Sequence, residues 1–247
     1  MLEPMQKTKV EYIGSDLDSM DLAVNYRNWI RDLFAPYLGK NIVEVGAGTG
    51  SFSKLLLDGD PESLMLVEPS EMFEKLTAGI DPAEYSTDIR FFNGTFSDVV
   101  SAHALTVRPD TIVYINVLEH VEDDVAELTQ IRETLEDNGK VCIFVPAIPL
   151  LLSDFDRMIG HFRRYSRKEL ITKTESAGLR VILVRGFDLP GVFPWLLKYR
   201  LIRSVSMEAA MVRLYDKVLV PPIRLIEDLI KPPIGKNLIL IAEKIGN

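Results

Sequence analysis

The amino-acid sequence predicts an α/β fold, a Rossmann-like sheet of seven strands, mostly parallel, with helices on both faces. Three observations lead to this prediction. Short apolar runs, most of them rich in Val and Ile, alternate with segments whose apolar residues recur at helical spacing. A glycine-rich turn follows the first of these runs. A proline-rich helical insertion, 189–235, separates the last two.

The first predicted helix, 20–38, carries Trp29 and Leu33 on one apolar stripe, with Asp18 or Ser19 available to cap it. Repeated β-α units then follow, and right-handed crossovers arrange such units as a doubly wound sheet. In chain order we predict strand 41–45, helix 51–57, strand 64–67, helix 70–78, strand 89–92, helix 99–105, strand 111–115, helix 122–136, strand 140–145, helix 167–177 and strands 181–184 and 238–242.

Composition and charge restrict the function classes. The chain has 28 basic and 36 acidic side chains, a formal net charge of −8, which argues against a general nucleic-acid binder and against DNA as a partner. Residues 1–150 have a formal net charge of −15, and residues 151–247 have a formal net charge of +7. This asymmetry suggests two surfaces with different partners, although chance is the alternative.

The single cysteine, Cys142, cannot form an intrachain disulfide, and its apolar neighbours predict a buried, inert thiol. Residues 1–9 lack the apolar core of a signal peptide. The longest apolar run, 141–152, is shorter than the roughly 20 residues that span a bilayer. We therefore expect a cytoplasmic protein.

The turn after the first strand holds Gly46, Gly48 and Gly50, and such turns bring a ligand close to main-chain N–H groups. The spacing departs from the dinucleotide fingerprint, because Ser51 stands at the position of its third glycine. Glu68 ends the second strand, 22 residues after Gly46, where an acid can accept both hydroxyls of a ribose. These features predict a nucleotide-type cofactor site.

The run Glu44-x-Gly46-x-Gly48-x-Gly50 resembles motif I of the class I S-adenosylmethionine-dependent methyltransferases of the small-molecule type. The resemblance covers about 26–147 and the last strand. It implies S-adenosyl-L-methionine as cofactor and an antiparallel last strand. An NAD-dependent oxidoreductase is the alternative for the glycine turn alone.

Cofactor contacts follow from the resemblance. Glu68 would bind the ribose hydroxyls, Asn116 the amino-acid end and Pro69 the adenine. Thr95 stands where the family usually has an acid for the adenine amino group. The implied cofactor-binding residues are Glu44, Gly46, Ala47, Gly48, Gly50, Glu68, Pro69, Thr95, Phe96, Asn116 and Leu118.

The loop 146–168 follows the fifth strand and should border the acceptor, because ligands bind beyond the carboxyl ends of parallel strands. Its Asp-x-x-x-Gly-His-x-Arg-Arg-Tyr-Ser pattern resembles a methyltransferase subgroup often linked to glycosyltransferases. His161 is the candidate general base, and we expect no metal. A salt-bridged loop held by Asp156 is the alternative. The candidate acceptor-binding residues are Arg157, His161, Arg163, Arg164, Tyr165 and Trp195.

We interpret the chain as a single methyltransferase domain. Its expected parts are an N-terminal arm and helix (1–40), a cofactor-binding core (41–147), an acceptor-side segment (148–188), the insertion (189–235) and the final strand (236–247). The insertion has three interpretations: a lid over the acceptor, a packing or dimer helix pair, or a membrane-surface contact, since cations alternate with its apolar residues.

The expected reaction is methyl transfer to a small molecule, with O-methylation of a hydroxyl or carboxylate first. The positive C-terminal half favours an anionic acceptor, glycan-linked, lipid-linked or a natural product. An RNA methyltransferase and a non-catalytic cofactor-binding partner subunit are the alternatives. The chain is expected to be a monomer or a homodimer.

Overall fold

A computed structural model of the chain describes residues 21–204 and 208–246. A seven-stranded sheet has the order β3-β2-β1-β4-β5-β7-β6, and β7 runs antiparallel to both of its neighbours. The predicted fold, including the antiparallel last strand, is confirmed. The strands are β1 Asn41–Val45, β2 Ser63–Val67, β3 Asp88–Phe92, β4 Thr111–Ile115, β5 Lys140–Pro146, β6 Leu179–Phe187 and β7 Asn237–Lys244.

Helices cover both faces of the sheet and build the insertion between β6 and β7. The caps Asp18 and Ser19 predicted for the first helix lie outside the described residues. The α-helices are α1 Val24–Phe34, α2 Ser53–Leu57, α3 Met72–Gly79, α4 Phe96–Ser101, α5 Asp124–Thr134, α6 Asp154–Met158, α7 Arg167–Ser176, α8 Val192–Trp195, α9 Ala209–Leu214 and α10 Val220–Ile230. Single 3-10 turns cover Ala35–Tyr37, Pro82–Glu84, Leu118–His120 and Pro149–Leu151, and π-type turns cover Leu196–Leu201 and Tyr215–Leu219.

The helix predicted at 99–105 instead begins at Phe96 and ends at Ser101. Thr95 caps it: its hydroxyl accepts from the Asp98 N–H, and the Asp98 carboxylate accepts from the Thr95 backbone N–H. This capping box fixes the start of the helix three residues earlier than its apolar spacing indicates.

Pro221 and Pro222 lie in the first turn of α10, which continues directly from a π-type turn. Proline is tolerated at this position because its missing N–H would have no partner within the new helix. The helical path therefore runs from Ala209 to Ile230.

Helix α1 packs on the face of the sheet that also contacts the insertion. Its Trp29 ring lies 3.9 Å, centroid to centroid, from the ring of Phe187 at the end of β6. The Tyr26 hydroxyl donates to Asn237 in β7, and the Tyr26 N–H donates to Asp216 in the insertion. These contacts hold α1 and the insertion together over the carboxyl ends of the central strands. Among the described residues, we find no helix with the length and apolarity needed to cross a bilayer.

Candidate cofactor and acceptor site

A cleft of about 520 Å³ opens at the carboxyl ends of β1, β2, β4 and β5. Its walls are the glycine turn after β1, the segments after β2, β3 and β4, the loop after β5, the start of α1 and the insertion. This is where doubly wound sheets bind ligands. The predicted site residues that line it are Glu44, Gly46, Ala47, Gly48, Glu68, Pro69, Thr95, Phe96, Asn116, His161, Arg164 and Trp195.

The three glycines of the turn have positive φ values, which explains their residue type. A Cβ on Gly46 would clash with Val117, and one on Gly50 would press against Leu76. Gly48 differs, because a Cβ there would meet no atom within 4 Å. Gly48 therefore faces open space in the cleft, whereas Gly50 is part of the packing behind it and does not line the cleft.

Glu68 anchors the turn from the end of β2. Its Oε2 accepts a hydrogen bond from the Gly48 N–H at 2.8 Å, and its Oε1 accepts from the Ser70 N–H at 2.9 Å. The side chain is buried, yet it lines the cleft. A carboxylate held in this way has lone pairs left for a ligand hydroxyl.

Glu44 is an acid buried within β1. Its carboxyl group accepts a hydrogen bond from the Ser53 hydroxyl. Burial, with a smaller contribution from the nearby Glu68 carboxylate, raises the pKa of Glu44 to about 8 against the lowering effect of the Ser53 hydrogen bond. Glu44 is therefore largely protonated at neutral pH, when no ligand occupies the cleft.

The exits of β3 and β4 place three predicted cofactor residues differently. Thr95 lines the cleft, but its hydroxyl is already used in the capping box of α4. Asn116 has a φ of 52° and donates its N–H to Phe144, so the chain turns sharply there. Leu118 is fully buried in the core and does not line the cleft, so it is not in a position to contact a ligand there directly.

The loop after β5 brings His161 and Arg164 onto one buried carboxylate. Asp156 Oδ1 accepts from His161 Nδ1 at 3.1 Å and from Arg164 Nη2 at 2.8 Å, while its Oδ2 accepts from the Ser153 N–H at 2.7 Å. Burial alone would raise the pKa of Asp156, but the bonds from His161 and Arg164 hold it well below its ordinary value. Because the Asp156 carboxylate accepts a hydrogen bond from Nδ1–H of His161, Nε2 is the nitrogen left with the lone pair.

Glu119 lies on the other side of His161, with its Oε1 3.8 Å from His161 Nε2. Neither carboxylate oxygen of Glu119 has a hydrogen bond from the described residues. Burial raises the pKa of Glu119 to about 7, against the lowering effect of His161. Burial also lowers the pKa of His120 to about 3, so His120 is neutral at physiological pH. Donor atoms of Glu119, His120 and His161 lie within 4.8 Å of one another, a spacing that would also admit a divalent cation.

Three predicted acceptor residues lie outside the cleft. The Tyr165 hydroxyl is buried and donates to Asp124 at 2.7 Å, so Tyr165 cannot orient an acceptor hydroxyl. Arg163 pairs with the same Asp124 at 2.7 Å, and Arg157 is exposed on α6. Arg164 does line the cleft, but its guanidinium pairs with Asp156 and lies 4.3 Å from the centre of the Trp195 ring. The alternative of a salt-bridged loop therefore describes Arg163 and Arg164.

Residues from both ends of the chain also line the cleft and were not predicted. Tyr26 and Arg27 come from α1, and Tyr215 and Asp216 come from the insertion. Asp21 also lines it and accepts from the Thr49 hydroxyl at 2.8 Å. The sequence offers one signal for the α1 residues, the pair Tyr26-Arg27 near the start of an amphipathic helix.

Comparison with known proteins identifies the family. A family model described as "Methyltransferase domain" matches residues 21–184. No curated protein matches the sequence significantly.

Solved structures share the fold at low sequence identity. A Haloferax volcanii methyltransferase in complex with the Trm112 methyltransferase activator has a TM-score of 0.60 at 17% identity, covering 93% of this chain and 96% of that one. An S-adenosylmethionine-dependent methyltransferase from Archaeoglobus fulgidus has a TM-score of 0.56 at 15% identity, covering 88% of this chain and 94% of that one. A Burkholderia thailandensis 1,6-didemethyltoxoflavin N1-methyltransferase with bound S-adenosylhomocysteine has a TM-score of 0.57 at 16% identity, covering 94% of this chain and 82% of that one.

The family match covers about two thirds of the chain, and it includes the glycine turn, Glu68 and the loop that carries His161. The strand order and the antiparallel β7 agree with it. The chain therefore belongs to the class I S-adenosylmethionine-dependent methyltransferases.

Proposed function

We propose that this enzyme methylates an oxygen of a small, anionic acceptor, with S-adenosylmethionine in the glycine-turn half of the cleft. The observation that carries the proposal is one continuous cleft that joins Gly48 and Glu68 to the Asp156-bound His161. A cofactor on the first half and an acceptor beside the second would be held for in-line transfer.

For the cofactor, Glu68 would accept the two ribose hydroxyls through lone pairs that Gly48 and Ser70 leave free. Glu44 would face the positively charged amino-acid end. The open space beside Gly48 supports a close approach of the ligand to the main chain.

For the acceptor, the new bond forms between its oxygen and the methyl carbon as the bond from that carbon to the sulfonium sulfur breaks. The sulfur keeps the electron pair and becomes a neutral thioether. A hydroxyl acceptor loses its proton to His161 Nε2, whose other nitrogen is held by Asp156. A carboxylate acceptor needs no base.

An anionic acceptor is supported by the cations on the insertion side of the cleft. Lys198 and Lys236 both line it, and the half of the chain after residue 150 carries a charge of +7. Acids oppose them, because Lys198 lies 3.7 Å from Glu208 and Lys236 lies 2.9 Å from Asp188. An anionic group of the acceptor near the insertion would therefore have to share Lys198 or Lys236 with these acids.

A labelled-methyl assay on a metabolite extract, with mass identification of the product, tests the reaction. The His161→Ala variant should lower kcat by about 10²-fold or more for a hydroxyl acceptor, in the range of general-base catalysis. Its cofactor Kd, measured by calorimetry, should stay unchanged. The matched control is His103→Ala, because His103 is exposed and outside the cleft.

Equal kcat in the His161→Ala variant and the wild type would remove the base assignment. A parallel arm with total RNA as acceptor tests the RNA alternative. The partner-subunit alternative predicts cofactor binding without turnover on any acceptor. It is a reason to measure binding and turnover separately, since the similar Haloferax volcanii protein is in a complex with an activator.

A further inference from the structure

The insertion exposes an unusual concentration of apolar side chains. Of the 20 large hydrophobic residues that are exposed among the described residues, 13 lie between positions 193 and 234. We call these 13 the insertion face: Phe193, Leu197, Leu201, Ile202, Met211, Leu214, Val218, Leu219, Leu225, Ile226, Leu229, Ile230 and Ile234.

Helix α10 shows how the insertion face is built. Leu225, Ile226, Leu229 and Ile230 are spaced so that they form one stripe over successive turns, and Leu229 is 80% exposed. The side of α10 that packs on the protein is also largely apolar: Val220 and Ile223 are buried there, beside Glu227, whose carboxylate accepts from two backbone N–H groups. An amphipathic helix of a soluble domain needs one apolar side, but α10 has two. The outer side is therefore available for a partner.

Cations accompany the insertion face and have no acidic partner in the described part of the chain. The exposed acids of the same segment are already paired: Glu208 with Lys198, and Asp228 with Arg185 and Arg224. The surface consequently combines apolar side chains with excess positive charge. Within 189–235, the exposed cations without an ion pair to a described residue are Arg200, Arg203, Arg213, Lys217 and Lys231.

We propose that the insertion face binds the surface of a bilayer that contains anionic lipids. Apolar side chains would enter the boundary between headgroups and acyl chains, while Arg213, Lys217 and Lys231 would meet the lipid phosphates. A second copy of the chain fits less well. In a two-fold dimer the same face meets itself, which brings cations against cations.

The same segment also forms a wall of the cleft. Trp195, Tyr199, Met211 and Tyr215 line the cleft, while their neighbours Leu197 and Leu214 are exposed. Binding to a bilayer would therefore bring the acceptor side of the cleft next to lipid headgroups, and an acceptor carried on a lipid could enter from there. This last step rests on the proposed methyl transfer, whereas bilayer binding does not.

Co-sedimentation of the full chain with lipid vesicles tests the proposal. The probes are pure phosphatidylcholine vesicles and vesicles with about one third phosphatidylglycerol. We expect a partition coefficient at least about 25-fold higher on the anionic vesicles, falling as salt is raised. Arg213→Gln with Lys217→Gln should lower it about 25-fold, because each cation near an anionic surface contributes about 1 kcal/mol, or about fivefold.

The double variant Leu229→Glu and Ile230→Glu should abolish binding to both kinds of vesicle. The matched control is Val107→Glu, a half-exposed apolar residue before β4, which should bind like the wild type. Circular dichroism melting checks the fold of each variant, and we expect every variant to be folded because the positions are exposed. Binding that is equal on both vesicles, or unchanged in the glutamate variants, would overturn the proposal. A dimer in solution that Leu229→Glu dissociates would overturn it in favour of a second copy.

Discussion

Glu44 offers a direct test of the electrostatics of the cleft. It lies in β1, is fully buried and has one side-chain hydrogen bond, from Ser53. Burial raises its pKa to about 8 from an ordinary value of 4.5. The substitution Glu44→Gln keeps the shape and an acceptor for Ser53, but it removes the titration.

The sign of the effect follows from proton binding. Between pH 4.5 and pH 8 the folded chain holds the Glu44 proton, whereas the unfolded chain has released it. The free energy of unfolding must then fall as the pH rises through this window. Each pH unit is worth about 1.4 kcal/mol, so this one residue costs roughly 4 kcal/mol of stability between pH 5 and pH 8.

Urea unfolding of the cofactor-free protein at pH 5, 6.5 and 8 measures this cost. The difference in unfolding free energy, Glu44→Gln minus wild type, should rise by roughly 4 kcal/mol across the series. Taking the difference cancels the other titrating groups. Glu84→Gln, at an exposed position, shows what the substitution does by itself. A difference that is the same at all three pH values would mean that Glu44 is ionised in the folded protein, and the argument from burial would be refuted.

Three further outcomes are expected. Glu68→Ala should weaken S-adenosylmethionine binding by about 10²-fold or more in calorimetry, because two charge-assisted hydrogen bonds of about 1.5–3 kcal/mol each are lost; unchanged affinity would reject the cofactor placement. Tyr165→Phe should lower the unfolding free energy by about 1–2 kcal/mol and leave kcat and KM unchanged, since its buried hydroxyl bonds Asp124; a raised acceptor KM at unchanged stability would return it to the site. Removal of divalent cations with EDTA should leave the initial rate unchanged, because the sulfonium already activates the methyl group; a loss that added metal restores would make Glu119, His120 and His161 a metal site.

The sheet and the glycine turn could be predicted because local patterns determine them. Buried parallel strands are short apolar runs, and the turn after β1 needs positive φ at Gly46, Gly48 and Gly50. The position of Glu68 beside the glycine turn could be predicted for the same reason, since the end of β2 lies next to the end of β1 in this fold. Its hydrogen bond to Gly48 shows that both features belong to one structural unit.

The acceptor loop could not be predicted in detail because its partners are distant in the sequence. Arg163 forms an ion pair with Asp124, and the Tyr165 hydroxyl donates to the same carboxylate, about 40 residues earlier in the chain. The loop sequence shows which residues are charged, but it does not show whether a carboxylate from another helix has already neutralised them. Thr95 illustrates the same limit over a short range: it lines the cleft, but its sequence position does not show that its hydroxyl and N–H already pair with Asp98 in a capping box.

The charge asymmetry of the chain acquires a more specific meaning from these pairings. Several cations after residue 150 are neutralised by acids before it: Arg163 and Lys173 pair with Asp124, and Arg224 pairs with Asp32. The insertion itself carries exposed cations without such partners in the described residues, Arg213 and Lys217 among them. The positive charge therefore points outward more than into the cleft. An anionic acceptor and an anionic bilayer then need not be separate hypotheses, because a lipid-linked acceptor would satisfy both. Its headgroup would lie near Lys198, while the surrounding lipids of the bilayer would contact the insertion face.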